Sequence, residues 1–408
     1  MEDVVVGLDI GSTKTCAVIG FLNENGLVEI AGVGVAPSRG LKNGVIINID
    51  NTQAAIAKAI EDAELMAGCE IAACYVAITG SHIKGENSPG VVAVSGRNRS
   101  ISAGEIRRVI QAAQAIVIPA DREIMHVLSR EFAVDDQRGI KDPIGMTGVR
   151  LEAEVHIVTG SRSAIINLTK SVNASGIHCQ DIVFSPLAAA EAVLSAEEME
   201  LGVAVVDIGG GTTDIAVFSD GGVAYTSVLP VGGRHVTNDI SIGLSTPAES
   251  AEMIKKKHGL SLVSFVDASE TVEVPSVGDR APRRIMRMEL ARIIEPRMFE
   301  IMEMIERELL VSGKKDFLAA GVVLTGGGAM LEGTVECAER VFRLPVRIGR
   351  AKNITGMKDI VSSPQYANAV GLVKYGIKTR QYREAKGGTK KQSGGLKMKM
   401  KKWFQDYL

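Results

Sequence analysis

Short apolar runs broken by glycine-rich turns recur along the chain. VVVGLDI (4–10) and CAVIG (16–20) flank GSTKT. VAVVDI (203–208) and DIAVFS (214–219) flank GGGTT. Two apolar runs about a tight turn predict a β-hairpin. Asp9 aligns with Asp207, 198 residues later, and Ala17-Val18 with Ala216-Val217 after one inserted residue. An offset of almost half of 408 residues predicts a duplicated unit.

Other segments have their own periods. VVAV (91–94) and LEAEVHIV (151–158) read as strands. GEIRRVIQAAQAIV (104–117) puts Ile106, Val109, Ile110, Ala113 and Val117 on one helical stripe. DREIMHVLSREFAVD leads into a loop expected over 136–148. A long helix is expected over 281–313, where Leu290, Ile293, Ile294, Met298 and Ile301 fall at roughly helical spacing and predict core. Met298, Met302 and Met304 read as core in preference to a docking surface. VVLTGGGAMLEG (322–333) is a buried-strand pattern, a glycine cluster and then a helical pattern.

The final thirteen residues, LKMKMKKWFQDYL, follow the apolar-free spacer KGGTKKQSGG (386–395). As a helix they align Leu396, Met400, Trp403, Phe404 and Tyr407 on one face. Lys399, Lys401 and Lys402 lie around the rest. Lys397 at the edge can snorkel, and Met398 interrupts the polar side. About 20 Å of helix lies in a membrane interface but cannot cross a bilayer. Trp and Tyr suit the headgroup level, and each lysine near an anionic surface contributes about 1 kcal/mol. The spacer spans about 17 Å as a coil. Self-docking, nucleic-acid binding and a disordered basic extension compete with this reading. The glycine-rich spacer disfavours the first. The absence of Arg and the clustered apolar face disfavour nucleic acid as a partner.

The turns carry the candidate chemistry. Consecutive backbone N–H groups in Gly11-Ser12-Thr13 and Gly209-Gly210-Gly211 make anion-binding concavities. Ser12, Thr13, Thr212 and Thr213 add hydroxyls, and Lys14 adds a positive charge suited to phosphate. Asp9 and Asp207 open the two turns. Facing one cleft, they would hold Mg²⁺ through its waters and orient an attacking water, which makes them the catalytic candidates. The Walker A pattern is absent. The cluster Gly326-Gly327-Gly328 followed by Met330 reads as the opposite wall of a nucleotide site.

Composition changes this picture little. The chain is 46% hydrophobic and 23% charged, enough for two or more domains. The net charge of −2 hides an asymmetry. Residues 386–408 hold seven Lys and one Asp, leaving 39 basic and 47 acidic residues elsewhere. Cys16, Cys69, Cys74, Cys179 and Cys337 are scattered without CxxC, so no disulfide framework or zinc knuckle is indicated, and a cytosolic chain is expected. The acidic start MEDVVVGLDIGST does not read as a signal peptide. No apolar run reaches about 18 residues, so no membrane-spanning helix is expected.

Together these segments resemble the nucleotide-binding signature of the actin, sugar-kinase and heat-shock-chaperone superfamily. Within it, residues 80–162 and the stretches LGVAVVDIGGGTTDIAVFSDG (201–221) and VGGRHVTNDISIGLSTPAESAEMIKKKHG (231–259) are similar to the bacterial cell-division family FtsA, over nearly the whole chain. The resemblance implies an α/β, actin-like and ribonuclease-H-like fold. Its duplicated domains close on a nucleotide cleft, with an inserted strand–helix–strand–strand subdomain and a C-terminal amphipathic helix. It implies a first core from 1–79, 163–200 and about 357–385, and the insert over 80–162. The second core would comprise 201–230 and 305–356, a small subdomain 231–304, a linker 386–395 and a membrane helix 396–408. ATP and Mg²⁺ are the implied cofactors, with Thr15 and Gly233 among the nucleotide contacts and Glu252 and Lys255 at the ribose and adenine. The implied partners are the C-terminal peptide of the tubulin-like protein FtsZ, met by Arg297, further copies of the chain, anionic lipids and other division proteins. The implied place is the cytoplasmic face of the membrane at the septum.

One departure bears on activity. Some relatives carry Glu-Pro where this chain has Ser185-Pro186, and that Glu positions the attacking water. A hydroxyl is a poor base, and Glu191 lies two helical turns further on. Tight nucleotide binding with slow hydrolysis is therefore expected. Two rival readings stay open: a pilus-assembly actin relative of the PilM kind, and an active sugar or metabolite kinase.

Overall fold

A computed structural model describes residues 4–95, 97–278 and 281–385. The linker 386–395 and the predicted membrane residues Leu396, Lys397, Lys399, Met400, Lys401, Lys402, Trp403, Phe404 and Tyr407 lie outside the described residues.

The two predicted hairpins form, and each seeds a sheet of the same topology. In the first, Val5–Ile10 pairs antiparallel with Lys14–Leu22, which pairs antiparallel with Val28–Pro37. On its other side Val5–Ile10 runs parallel to Ala73–Ile78, and that strand to His178–Phe184. In the second, Val203–Ile208 pairs with Thr213–Ser219, which pairs with Gly222–Leu229. The parallel neighbours are Val322–Thr325 and then Val346–Ile348. The register repeats too: Asp9 lies opposite Cys16, and Asp207 opposite Asp214. The strand Ile354–Gly356 returns to the outer edge of the first sheet.

Strand alternation explains why VAVVDI is apolar without interruption. Val203 and Val205 face the core built around the first sheet, while Ala204, Val206 and Ile208 face a second core. A strand buried on both faces reads as a continuous hydrophobic run. The second core is closed by the helix Arg287–Val311, whose Leu290, Ile294, Met298, Ile301 and Met302 are fully buried, as expected. Ile293 and Met304 pack at its margin. This helix runs unbroken across the expected boundary at 304–305.

The terminal helix Ala367–Ala385 lies along Val5–Ile10 and crosses the helix Ser185–Val193. At the crossing a side chain on Gly371 would overlap the Ala188 carbonyl oxygen, so glycine sets the close approach. That approach brings the start of the terminal helix to the mouth of both hairpins.

The insert forms a separate packed module. Its sheet runs in the order Lys84–Ala93, Arg150–Ser161, Arg122–Val134, Gln137–Ile140. Ile106, Val109, Ile110 and Ala113 of the helix Ala103–Ala113 cover it. Ser102 caps that helix reciprocally with Glu105.

Three local expectations change. The stripe through Val117 stops early: the helix ends at Ala113 and Val117 is 98% exposed. Pro119 disfavours helix at the residue before it, and the chain turns into the next strand. The loop 136–148 contains the short strand Gln137–Ile140, formed because Asp135 takes a left-handed φ and folds the chain back. The helix expected from 281 begins at Arg287; Arg283–Met286 instead pairs with Thr271–Val274. Glu289 reaches back to the Met286 N–H and fixes the start.

Candidate functional site

The two hairpin turns have the same hydrogen bond at their base. Gly11 N–H donates to the Lys14 carbonyl at 2.9 Å, and Gly209 N–H to the Thr212 carbonyl at 2.9 Å. The turns face each other across a cleft of about 580 Å³ between the two sheets. They also interlock. A side chain on Gly210 would overlap Thr13, and one on Gly211 would crowd Ser12. The glycines of the second turn thus make room for the side chains of the first.

Most of the predicted site converges here. Asp9, Gly11, Ser12, Thr13, Lys14, Asp207, Gly209, Gly210, Thr212, Gly233, Glu252, Lys255, Gly326, Gly327, Gly328 and Met330 all line the cleft. Three candidates do not. Thr15 is fully buried, and its hydroxyl lies 2.8 Å from that of Ser38. Thr213 is fully buried and donates to the Val231 carbonyl at 2.8 Å. Thr15 is the second residue of its strand and Thr213 the first of its own, and alternation turns each away from the cleft-lining neighbours Lys14 and Asp214. Gly211 packs against Ser12 and Asn43, so it serves the contact between turns.

Lys14 is placed differently from a free phosphate lysine. Its ammonium donates to the Gln365 carbonyl at 2.6 Å and lies 4.2 Å from the centre of the Tyr366 ring. It therefore holds the segment leading into the terminal helix while lining the cleft.

The floor of the cleft is acidic. Asp9, Asp207 and Asp214 sit at strand positions beside the turns. Burial pushes the Asp9 carboxyl upward against the pull of Lys14. Burial, and then the charge of Asp9, push Asp207 up to about 6. Asp214 stands well above the ordinary carboxylate range because it is buried and faces Asp207. Thr79, at the end of the first sheet, donates to Asp214. Among the described residues no three His, Cys, Asp or Glu side chains are set to ligate a metal directly. A hydrated divalent cation, held through its waters, fits such a floor: it offsets buried negative charge without direct ligation.

At the other end, Lys255 bonds Glu252 at 2.6 Å, the Thr237 hydroxyl at 2.8 Å and the Gly233 carbonyl at 3.0 Å. Burial pushes Glu252 up, but Lys255, the Thr237 hydroxyl and Lys256 together outweigh it and the net shift is downward. Burial lowers Lys255, opposed by Glu252. The pair is a preformed polar wall, not two free solvated ends.

Sequence reasoning passed over several cleft residues. Asp214 was legible from the register, since it is the hairpin partner of Asp207. Thr79, Asn368 and Arg234, which donates to the Ser12 carbonyl, have no local signal. Ser185 is buried outside the cleft lining and donates to the Ile78 carbonyl at 3.0 Å. Glu191 is paired with Lys378 at 2.5 Å, away from the floor. Arg297 lies on the helix Arg287–Val311, held bidentately by Asp239 at 2.6 and 3.1 Å and also by Glu300.

Comparison with known proteins places this geometry. A family model described as "SHS2 domain inserted in FTSA" matches residues 80–159, the insert. Another, described as "Cell division protein FtsA", matches residues 204–371. The chain is 45% identical over 395 residues to the cell division protein FtsA of Pseudomonas aeruginosa, covering 97% of this chain and 91% of that one. The chain belongs to the FtsA family. It is also 42% identical over 406 residues to the FtsA of Borreliella burgdorferi, covering 99% and 98% of the two chains.

Solved structures show that this FtsA-family chain has the actin-like fold. The PilM–PilN type IV pilus biogenesis complex superposes with a TM-score of 0.63 at 16% identity, over 91% of this chain and 98% of that one. MreB 5 of Spiroplasma citri bound to AMPPNP gives 0.58 at 15%, over 95% and 100%. The PilM likeness is thus one of fold, whereas the FtsA likeness is one of family. No helix among the described residues is long and apolar enough to cross a membrane.

Proposed function

We propose that the cleft binds ATP with Mg²⁺ and that the chain polymerises and ties FtsZ filaments to the cytoplasmic membrane at the septum. The observation that carries the nucleotide reading is the facing of two glycine turns over three buried carboxylates. The likeness to AMPPNP-bound MreB 5 supports an adenine nucleotide. The turn N–H groups and the hydroxyls of Ser12, Thr13 and Thr212 receive phosphate oxygens. Asp9 and Asp207 hold the cation through its waters. Glu252 and Lys255 form the ribose and adenine wall. Mg²⁺ when bound supplies the positive charge that lets phosphates sit above a carboxylate floor.

Hydrolysis is slow. The hydroxyl of Ser185 is committed to a backbone carbonyl, and Glu191 is committed to Lys378. Neither is free to activate a water. ATP then acts chiefly to close the two halves, and the closed form assembles. The likeness to a MamK double helical filament supports assembly. Arg297, carried on the small subdomain, receives the FtsZ peptide.

The tail supports membrane attachment by its pattern: one apolar face with the only Trp of the chain, ringed by lysines. One copy is a modest anchor, and linked copies in a filament gain by effective concentration. The test is recruitment of FtsZ to anionic liposomes by flotation, with the full chain and with 396–408 deleted. Full chain floats FtsZ; the deletion leaves it at the bottom. Equal flotation by both would remove the tail from the mechanism. Turnover of several ATP per second by purified protein would overturn the slow-hydrolysis reading.

A further inference from the structure

Asn368 is the second residue of the terminal helix Ala367–Ala385 and lines the cleft. Its amide nitrogen donates to Asp207 Oδ2 at 2.7 Å. An ionised carboxylate accepts only, so this bond sets which way the amide points. The side-chain carbonyl is left facing away from Asp207, buried and without a hydrogen-bond partner. Buried amide oxygens are normally satisfied, and an unsatisfied one calls for an explanation.

The surroundings narrow the explanation. Asp9 and Asp207 offer no proton while ionised, and Asp214 is engaged by the Thr79 hydroxyl. Lys14, the nearest cation of the first turn, donates to Gln365. A nucleotide phosphate is an acceptor as well, so it cannot satisfy Oδ1. The missing donor is a water, and the water that this floor would order is one bound to a divalent cation.

We propose that Asn368 is a positioning residue for the cation: its amide nitrogen holds Asp207, and its carbonyl accepts from a water of the cation's hydration shell. The inference rests on the nucleotide reading above and adds a residue on the terminal helix to the cation's surroundings. The two ends of one amide thus read the carboxylate and the hydrated metal at once.

The test uses the full chain and a fluorescent ATP analogue, titrated once with magnesium chloride and once with EDTA. The quantity read is the ratio of the two affinities. Asn368→Leu removes both hydrogen-bonding ends at similar volume and is expected to cut that ratio about tenfold, leaving the EDTA affinity within about threefold. Asn368→Ala, which cannot be too large for the site, is expected to show the same loss. An equal loss in both buffers makes Asn368 a packing residue and overturns the proposal, as does an unchanged ratio. Failure of the unaltered chain to bind the analogue in either buffer overturns the nucleotide reading itself, and the role of Asn368 with it.

Discussion

The cleft and the seam beneath the insert are both buried polar regions, yet they are built to opposite ends. At the seam, His156 of the insert is 1% exposed. Its Nδ1 lies 2.6 Å from Asn87 Oδ1 and its Nε2 2.8 Å from the Thr226 hydroxyl of the second sheet. Asn87 donates onward to the Ala224 carbonyl at 3.1 Å. Both ring nitrogens have partners, and burial, helped by Arg130, pushes the imidazole down to about 3. The His156–Asn87–Thr226 set is complete as a neutral network. In the cleft, three carboxylates share one floor and an amide oxygen is left over. A satisfied buried network fixes structure, whereas an unsatisfied one marks where a ligand completes the molecule.

The contrast is broken most severely at Gly326. Its φ of +83° is unfavourable to other residues, and a side chain there would overlap Asp207 Oδ1. Gly326→Ala is expected to weaken ATP binding by about 100-fold, roughly 2.7 kcal/mol, read by calorimetric titration. Retention within threefold would show that the glycine wall does not shape the site.

Asp207→Asn sharpens the comparison by inverting the usual sign of a core substitution. The Asp207 carboxyl is raised from 3.8 to about 6. Its stability contribution is fully present below 3.8 and lost as pH rises through about 6. The ligand-free chain therefore carries up to about 3 kcal/mol of strain from this group at pH 8. Asn should raise the melting temperature there and abolish the magnesium dependence of nucleotide affinity. A melting temperature that falls at pH 8 would mean the floor is not charge-frustrated.

The seam responds with the opposite pH sign. His156 is lowered from 6.5 to about 3, so its contribution is present above 6.5 and lost as pH falls from there toward 3. His156→Phe strands Asn87 and Thr226 and should cost about 1–3 kcal/mol at pH 7.5 in chemical unfolding, with little effect on nucleotide affinity. The variant should also lose the acid-side decline between pH 6.5 and 4. Weakened nucleotide binding of the same size would join seam and cleft into one network.

The smallest expected effect is at Arg297. Its ion pairs with Asp239 and Glu300 are partly exposed, so Arg297→Ala should change stability by less than about 1 kcal/mol. Affinity for the FtsZ C-terminal peptide, measured by fluorescence anisotropy, should nevertheless fall several-fold. Unchanged anisotropy would move the docking surface elsewhere.

The periodic features of this chain were legible because they are local. Alternating burial and turn chemistry wrote both hairpins into 4–20 and 203–219, and the equivalence of Asp9 and Asp207 followed from their spacing. The helical stripe of the insert was readable up to Ala113 and misleading at Val117, because periodicity carries no stop signal of its own. Their place in a motif predicts Thr15 and Thr213 at the cleft. Strand alternation sent them behind it.

Sequence alone determined the duplicated α/β plan, the two acidic turns, the glycine wall and the amphipathic pattern of the last thirteen residues. Only the tertiary structure decided that Thr79 meets Asp214, that Lys14 grips the segment before the terminal helix, and that Asn368 reaches Asp207 across 161 positions. Such pairs have no period and no motif. They exist because Gly371 lets two helices cross closely and delivers the first turn of the last one to a floor built by strands from both halves.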